Sequence, residues 1–303
     1  MKNTWSEIHR YFETNFRGDV LVDEPLAPHT WYRIGGPADF FAYPADVEDL
    51  GMLLDTAAAA DCPVAIIGDG ANMLVHDNGY RGIVLSLTRY FTVITRNELM
   101  VEAQAGVLLP DLVLFCEINN LGGLEHLSGI PGSVGGALIM NAGTRAAEFG
   151  DVVHDVTVLE SGNRLVEIPA ATINFTYRST PELQDKMILG CRLSLRMEPE
   201  EDLRRVRAEQ LRLRLEKQPL NYPSCGSVFK APPGQFVGKL VEEAGLKGLR
   251  RGNAMVSAKH GGFIVNLGNA KAADVLYLIE KVTDEIMRRY DVALEPEVKF
   301  LGF

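Results

Sequence analysis

Only four cysteines occur in the 303 residues, Cys62, Cys116, Cys191 and Cys225, and none forms a C-x-x-C pair. No histidines cluster at zinc-ligand spacing, so neither a zinc site nor a disulfide framework is expected. Cys62, Cys116 and Cys191 sit among apolar residues, the setting of buried free thiols in a reducing compartment. Long hydrophobic runs are also missing. The most apolar stretch, residues 105–116, is interrupted by Pro110 and Asp111 and is too short to span a bilayer. The first residues, Met1-Lys2-Asn3-Thr4-Trp5-Ser6-Glu7, lack the apolar core of a signal peptide, which makes the cytoplasm the expected location. Positive charge is in deficit: 30 Lys and Arg against 40 Asp and Glu leave a net charge of −10. Sequence-independent binding of nucleic acid is therefore not expected. A G-x-x-x-x-G-K-[ST] loop is absent, and a G-x-G-x-x-G fingerprint beginning at Gly68 fails because Met73 stands where its last glycine belongs.

What is present is the balance of a globular protein, 47% hydrophobic and 23% charged, over a length that suggests two or three domains. Thr4 and Glu7 form a capping-box pattern for a helix reaching about residue 12. Apolar residues at helical spacing predict a helix over 47–60, Pro110 opens another through 120, and further helices are expected over 200–216, 236–244 and 270–290. Residues 64–67 read as a buried strand and 83–85 as another. Hairpins are expected for 91–94 with 99–103, turning at Arg96-Asn97, and for 152–159 with 164–168, turning at Ser161-Gly162-Asn163. Residues 187–197 alternate as a strand, and the character of the chain changes near residue 200.

Two glycine-rich segments invite a phosphate-binding reading: Gly68-Asp69-Gly70-Ala71-Asn72, and Gly129-Ile130-Pro131-Gly132-Ser133-Val134-Gly135-Gly136 followed by Asn141-Ala142-Gly143. Glycine lets main-chain N–H groups approach an anion, and two such loops could grip one diphosphate cofactor. Plain tight turns explain the same residues, and spacing does not name the cofactor.

These segments, with Tyr32-Arg33-Ile34-Gly35-Gly36, Met73-Leu74, Met140, Tyr177-Arg178-Ser179, Pro223 through Lys230 (Pro-Ser-Cys-Gly-Ser-Val-Phe-Lys), Ala244 through Gly248, Lys259-His260 and Leu294-Glu295-Pro296-Glu297-Val298, resemble the UDP-N-acetylenolpyruvoylglucosamine reductases in order and over nearly the whole chain. The resemblance implies an α+β fold: an FAD-binding region of the PCMH/vanillyl-alcohol-oxidase type made of two α+β subdomains (1–85 and 86–199), and a C-terminal α+β substrate-binding domain (200–303). It implies the shorter form, without an inserted substrate-covering loop.

The implied activity is reduction of the enolpyruvyl ether of a UDP-sugar to UDP-N-acetylmuramate for peptidoglycan precursors. FAD is held noncovalently, NADPH is the co-substrate, a hydride goes to C3 and a proton to C2. Arg178, Ser227 and Glu297 take the catalytic places. Arg178 offers a fixed guanidinium fork to the substrate carboxylate, Ser227 the C2 proton, and Glu297 a carboxyl beside the reacting group, on an extended strand that points Glu295 and Glu297 the same way. The cofactor places fall on Arg33, Gly35, Gly36, Gly68, Asp69, Gly70, Ala71, Asn72, Met73, Gly129, Ile130, Pro131, Gly132, Ser133, Gly135, Gly136, Asn141, Ala142 and Gly143.

Tyr177, Lys217, Lys230 and His260 are the substrate candidates, with Arg250 and Arg251 behind them. Arg204, Arg205, Arg207, Arg212 and Arg214 are read mainly as a solvated, ion-paired helix face. Cys225 is read as packing. Partners are expected to be small molecules only, on a monomer, with no metal. Two departures from the family pattern stand out, Ala231 where asparagine is frequent and Thr144-Arg145-Ala146-Ala147 after Gly143. Another flavin oxidase of the same fold, or a non-catalytic flavoprotein, would share the cofactor segments but need neither Arg178 nor the Ser227 segment.

Overall fold

The structure, a computed structural model, describes residues 2–303, and side chains from Ser6 onward. The chain forms two compact units. Among the described residues the first comprises 2–22, Phe40–Asp69 and Gly82–Leu211; the second comprises Asp23–Asp39, Gly70–Arg81 and Arg212–Phe303. Helices are α1 (Lys2–Thr14), α2 (Val47–Ala59), α3 (Leu109–Ile118), α4 (Val134–Met140), α5 (Glu200–Lys217), α6 (Val237–Glu243) and α7 (Ala272–Tyr290).

In the first unit α1 starts before Thr4, so Thr4 is not its cap, and the Thr4 side chain lies outside the described residues. Asp46 caps α2, its carboxylate taking the Asp49 N–H at 2.9 Å. Asp49 is fully buried and accepts from the backbone N–H groups of Arg17, Gly18 and Ala45 at 2.9–3.0 Å, which satisfies a charge that burial would otherwise make costly. The main sheet is antiparallel, in the order Arg164–Pro169, Val153–Glu160, Met187–Ser194, Met100–Gln104, Ile94–Asn97. Buried Val156, Val158, Cys191, Leu193, Val101 and Ala103 line one core with Leu112, Val134, Leu138 and Phe149. The helix α4 lies against the central strand Met187–Ser194 and its neighbour Met100–Gln104, which sets where its C-terminus delivers Asn141.

Both expected hairpins are present. The first turns at Glu98-Leu99 rather than Arg96-Asn97, because Asn97 pairs with Met100 and Glu98 takes φ +54°. The second has the expected connection, a short 3-10 turn over Ser161–Asn163. The strand Val64–Ile66 is correct in place but not buried: Ile66 is 49% exposed, and the adjoining Ile67 carries the burial. The 187–197 strand is broken, with Met187–Ser194 and Arg196–Met197 in different sheets.

A buried acid braces this unit. Glu125 is 8% exposed, takes the Gly123 N–H at 2.6 Å and pairs with the Arg196 guanidinium at 2.5 Å. Burial alone would raise its pKa; the Gly123 N–H and Arg196 outweigh that and hold the carboxyl below its ordinary 4.5. The pair therefore adds stability that is present above pH 4.5 and is lost as pH falls through the lower folded value. Arg196→Ala is expected to cost about 2 kcal/mol at neutral pH. Thermal denaturation should show a drop of about 5 °C that shrinks in acid.

The second unit gathers Tyr32, Ile34, Leu74, Val228, Phe229, Val256 and Ile264 around the α7 stripe Val275, Leu278, Ile279, Val282 and Ile286, all buried. Each such side chain contributes about 1.5–3 kcal/mol by leaving water. Asp77 caps α7, accepting from Ala272 N at 2.8 Å and Ala273 N at 3.2 Å. A three-stranded antiparallel sheet (Arg250–Arg251, Ala254–Val256, Ile264–Asn266) and a parallel pair (Met73–Val75 with Lys299–Leu301) complete it. The expected strand at 294–298 is only an isolated bridge, Phe229 to Pro296, held by Glu297 N to Val228 O and Lys230 N to Glu295 O, while Val228 N is spent on Gly262 O at 2.9 Å instead of extending the ladder.

Candidate active site

Arg178 sits in a two-residue turn of the first unit. Thr176 N donates to Ser179 O at 2.9 Å, Ser179 N donates back to Thr176 O at 3.1 Å, and Arg178 adopts φ +55°. A left-handed arginine costs about 1 kcal/mol and persists only where its surroundings impose it. Those surroundings are the C-terminus of α4. The Arg178 Nη2 donates to Gly143 O at 2.7 Å, Thr180 Oγ1 to Leu138 O at 2.7 Å and Gln184 Nε2 to Ile139 O at 3.0 Å. The guanidinium also lies 5.1 Å from the Tyr177 ring centroid.

Thus Tyr177 and Arg178 are brought to the Asn141-Ala142-Gly143 segment. The departing stretch that follows closes on itself, with Thr144 N donating to Ala147 O at 2.9 Å and Ala146 N to Thr144 Oγ1 at 3.1 Å. Gly143 is required there, because a Cβ would lie 2.9 Å from Ala147 O.

The glycine segment 129–136 is not one loop: from Val134 it continues as α4, with Ser133 as N-cap. The N–H groups of Val134, Gly135 and Gly136 are used by Val107 O, Ala105 O and Ser133 Oγ. Among the described residues, Gly68, Gly132 and Ser133 N–H donate to no protein acceptor. Gly68 lies directly on Ser133, where a Cβ would come 2.3 Å from Oγ, and Gly132, at φ +130°, faces open space. Unspent amides around an approach too close for any side chain fit a diphosphate-bearing cofactor. The fit covers Gly68, Gly132 and Ser133.

The remaining candidates of the 33–36 and 70–73 segments lie in the second unit, where packing accounts for three glycines. A Cβ on Gly35 would meet Val75 Cβ at 2.9 Å, one on Gly36 the Asp77 carbonyl at 2.2 Å, and one on Gly70 the His29 carbonyl at 2.1 Å. Arg33 Nη1 donates to Pro28 O at 2.9 Å. Met73 pairs with Lys299, and Asn72 Nδ2 donates to the Glu297 carbonyl at 3.1 Å, so Asn72 holds the Glu297 backbone.

Ser227 and Glu297 share the second unit with His260 and Lys230. Val228 O receives Glu297 N at 2.7 Å and Lys230 N reaches Glu295 O at 2.9 Å, which binds the two segments together. Glu295 is exposed and paired with Lys230 Nζ at 2.5 Å, whereas Glu297 is half-buried. Ser227 Oγ donates to Phe229 O at 3.1 Å, following Gly226 at φ +81° in open space. Gly262, Ser227 and His260 border one gap: a Cβ on Gly262 would lie 3.3 Å from Ser227 Oγ and 3.1 Å from His260 Cε1. His260 Nδ1 accepts from Gly262 N at 3.1 Å, so the neutral ring carries its proton on Nε2. Burial, and after it the Lys247 charge, keeps the imidazole below its ordinary pKa. Cys225 is fully enclosed beside Tyr32 with its thiol pushed up to about 12, foremost by burial, which suits packing and not nucleophilic chemistry.

On α5 the arginines divide. Arg204, Arg205, Arg207 and Arg212 pair with Glu200, Asp202, Glu117 and Glu216. Arg214 does not: it is partly buried, has no acidic partner among the described residues, and burial alone lowers its pKa. The buried Oε1 of Gln218, one turn on, also accepts no hydrogen bond among the described residues. In sequence Arg214 is indistinguishable from its ion-paired neighbours: it lies at 3–4 spacing with Leu211 and Gln218 but also seven residues after Arg207, on the face that Arg207 and Arg204 share. Lys217 is exposed at the helix end. Arg250 and Arg251 are spent elsewhere, on Met255 Sδ at 3.3 Å and on the Tyr277 ring at 4.8 Å.

Residues 218–301 match the model for the UDP-N-acetylenolpyruvoylglucosamine reductase C-terminal domain, and residues 38–168 match an FAD binding domain. A UDP-N-acetylenolpyruvoylglucosamine reductase of Agathobacter rectalis is 42% identical over 297 residues, spanning 93% of this chain and 94% of its own. The UDP-N-acetylenolpyruvoylglucosamine reductase 2 of Symbiobacterium thermophilum is 43% identical over 287 residues, 94% and 93% of the two chains. The crystal structure of the Thermus caldophilus UDP-N-acetylenolpyruvylglucosamine reductase superposes with a TM-score of 0.80 at 36% identity, covering 94% of this chain and 99% of that one. The chain belongs to the UDP-N-acetylenolpyruvoylglucosamine reductase family.

Proposed function

We propose that this protein is the FAD-dependent oxidoreductase that reduces the enolpyruvyl ether of UDP-N-acetylglucosamine enolpyruvate to UDP-N-acetylmuramate at the expense of NADPH, in peptidoglycan precursor synthesis. The observation that carries the reading is Arg178, held by a left-handed backbone at φ +55° with its guanidinium 2.7 Å from the Gly143 carbonyl at the end of the glycine-rich segment.

When bound, FAD supplies two-electron chemistry, linking hydride uptake from NADPH to hydride delivery at C3 of the enolpyruvyl group. The unspent Gly68, Gly132 and Ser133 amides would hold its diphosphate. Arg178 holds the substrate carboxylate and stabilises the charge that spreads into it as C2 becomes carbanion-like. Ser227 supplies the proton to C2, with open space at Gly226 allowing its hydroxyl to leave the Phe229 carbonyl. Glu297, whose carbonyl Asn72 anchors, brings its carboxyl to the reacting group, and Tyr177 contributes beside Arg178. His260, Lys230 and Lys217 are assigned to substrate polar groups.

Arg214 joins the anion-binding set, since a partly buried cation with no acidic partner among the described residues is matched by a phosphate or carboxylate of the ligand. Arg214→Ala is expected to raise the KM for the UDP-sugar about tenfold, one charged hydrogen bond's worth, with kcat changed little. An unaltered KM would remove Arg214 from the set. We place the enzyme in the cytoplasm as a monomer; no described helix is long and apolar enough to cross a membrane. The function is tested by incubating protein, NADPH and the enolpyruvyl UDP-sugar: the sugar nucleotide should gain the mass of two hydrogens per NADPH oxidised. NADPH oxidation with the sugar nucleotide unchanged in mass would contradict it.

A further inference from the structure

We infer that Asn141 is a positioning residue for Arg178, with Glu148 as its anchor. The inference rests on Arg178 acting on the substrate carboxylate. Asn141 closes α4 in the left-handed conformation, φ +41°, and is completely buried, so its amide can serve only protein groups. Three of its hydrogen-bonding capacities are filled. Nδ2 donates to Glu148 Oε2 at 2.7 Å and to Thr176 O at 3.1 Å, and Oδ1 accepts from Gly150 N at 2.9 Å. Thr176 is the first residue of the turn that carries Arg178, and Gly143, two residues beyond Asn141, provides the carbonyl on which the guanidinium rests.

One side chain therefore ties both attachments of Arg178, the base of its turn and the loop beneath its head. Glu148, bridged to Gly143, fixes the amide's rotation. The Arg178 backbone is strained and needs such over-determination. Without the amide, the turn and the Gly143 loop lose their shared reference, and a displacement of about 1 Å at a charged group costs about 100-fold in rate.

The experiment uses the flavin-loaded enzyme. Asn141→Gly deletes the side chain while tolerating the left-handed backbone. In stopped-flow, reduction of bound flavin by NADPH should stay near the wild-type rate, while reoxidation by the enolpyruvyl substrate slows about 100-fold. In an Arg178→Ala background the same change should slow reoxidation by less than about twofold, because Asn141 acts only through the missing guanidinium. Glu148→Ala, read in the same way, should slow reoxidation by about tenfold and replaces Asn141→Gly if that variant does not fold.

A wild-type reoxidation rate in Asn141→Gly, equal slowing of both half-reactions, or the full slowing retained in the Arg178→Ala background would each overturn the inference. Wild-type reoxidation in Arg178→Ala alone would instead overturn the catalytic role of Arg178, and this inference with it. Slow Arg178→Ala with unaffected Asn141→Gly removes the inference alone.

Discussion

Ser227→Ala is expected to slow reoxidation of the flavin by the enolpyruvyl substrate about 10³-fold and to leave its reduction by NADPH within about twofold of wild type. The asymmetry follows from chemistry. The proton is needed only where C2 gains charge, which occurs in the substrate half-reaction alone. A serine hydroxyl is a weak acid, so its transfer must be coupled to charge development at C2 instead of preceding it. Local geometry allows this: among the described residues Oγ is engaged only by the Phe229 carbonyl, a bond it can give up, and the preceding Gly226 at φ +81° leaves no side chain in its path. Removing one hydroxyl at a half-buried loop position should hardly alter folding. The decisive readout is the ratio of the two half-reaction rates, because a distorted protein would slow both.

Arg178→Ala is expected to slow the same half-reaction by a similar factor, about 10³, through loss of a preorganised positive group next to the developing charge. Arg178→Lys should restore little. Lysine carries the charge but not the planar fork, and it cannot both rest on the Gly143 carbonyl and meet a carboxylate with paired donors. Stopped-flow traces of the three proteins, reduced anaerobically and mixed with substrate, check this directly. A lysine variant as fast as wild type would mean that charge alone matters and that the turn geometry does not.

How much of this could be read in advance differs between elements for physical reasons. The helix α7 was plain, because five buried residues repeat at helical spacing over its whole length. The Ser161–Asn163 connection was equally plain from its turn residues. Propensity places the first hairpin's turn at Arg96-Asn97, two residues early, because Asn97 favours turns while the register of the two adjoining strands pairs Asn97 with Met100 and leaves Glu98-Leu99 as the turn. The segment around Glu297 reads as a strand from composition, yet the structure makes one bridge of it, because the Val228 N–H that would continue the pairing goes to Gly262 O, a partner the local sequence does not reveal. Glycine was ambiguous: Gly36 and Gly70 are needed for close approach of neighbouring backbone, whereas Gly68 and Gly132 border unspent amides, a distinction only coordinates can draw. Asn141 resembled a cofactor ligand, but its amide is consumed by Glu148, Thr176 and Gly150, from three separate places in the sequence. Arg214 is concealed because its lack of an acidic partner among the described residues is a property of neighbours, not of spacing.

The central claim is a reductase that handles hydride and proton on an enolpyruvyl UDP-sugar, and one optical measurement tests it most directly. The flavin-loaded protein is bleached with one equivalent of NADPH in the absence of oxygen, and the sugar nucleotide is then added. Return of the oxidised flavin spectrum, stoichiometric with substrate, is the predicted result. A spectrum that stays bleached until air is admitted would contradict the account and favour an oxidase.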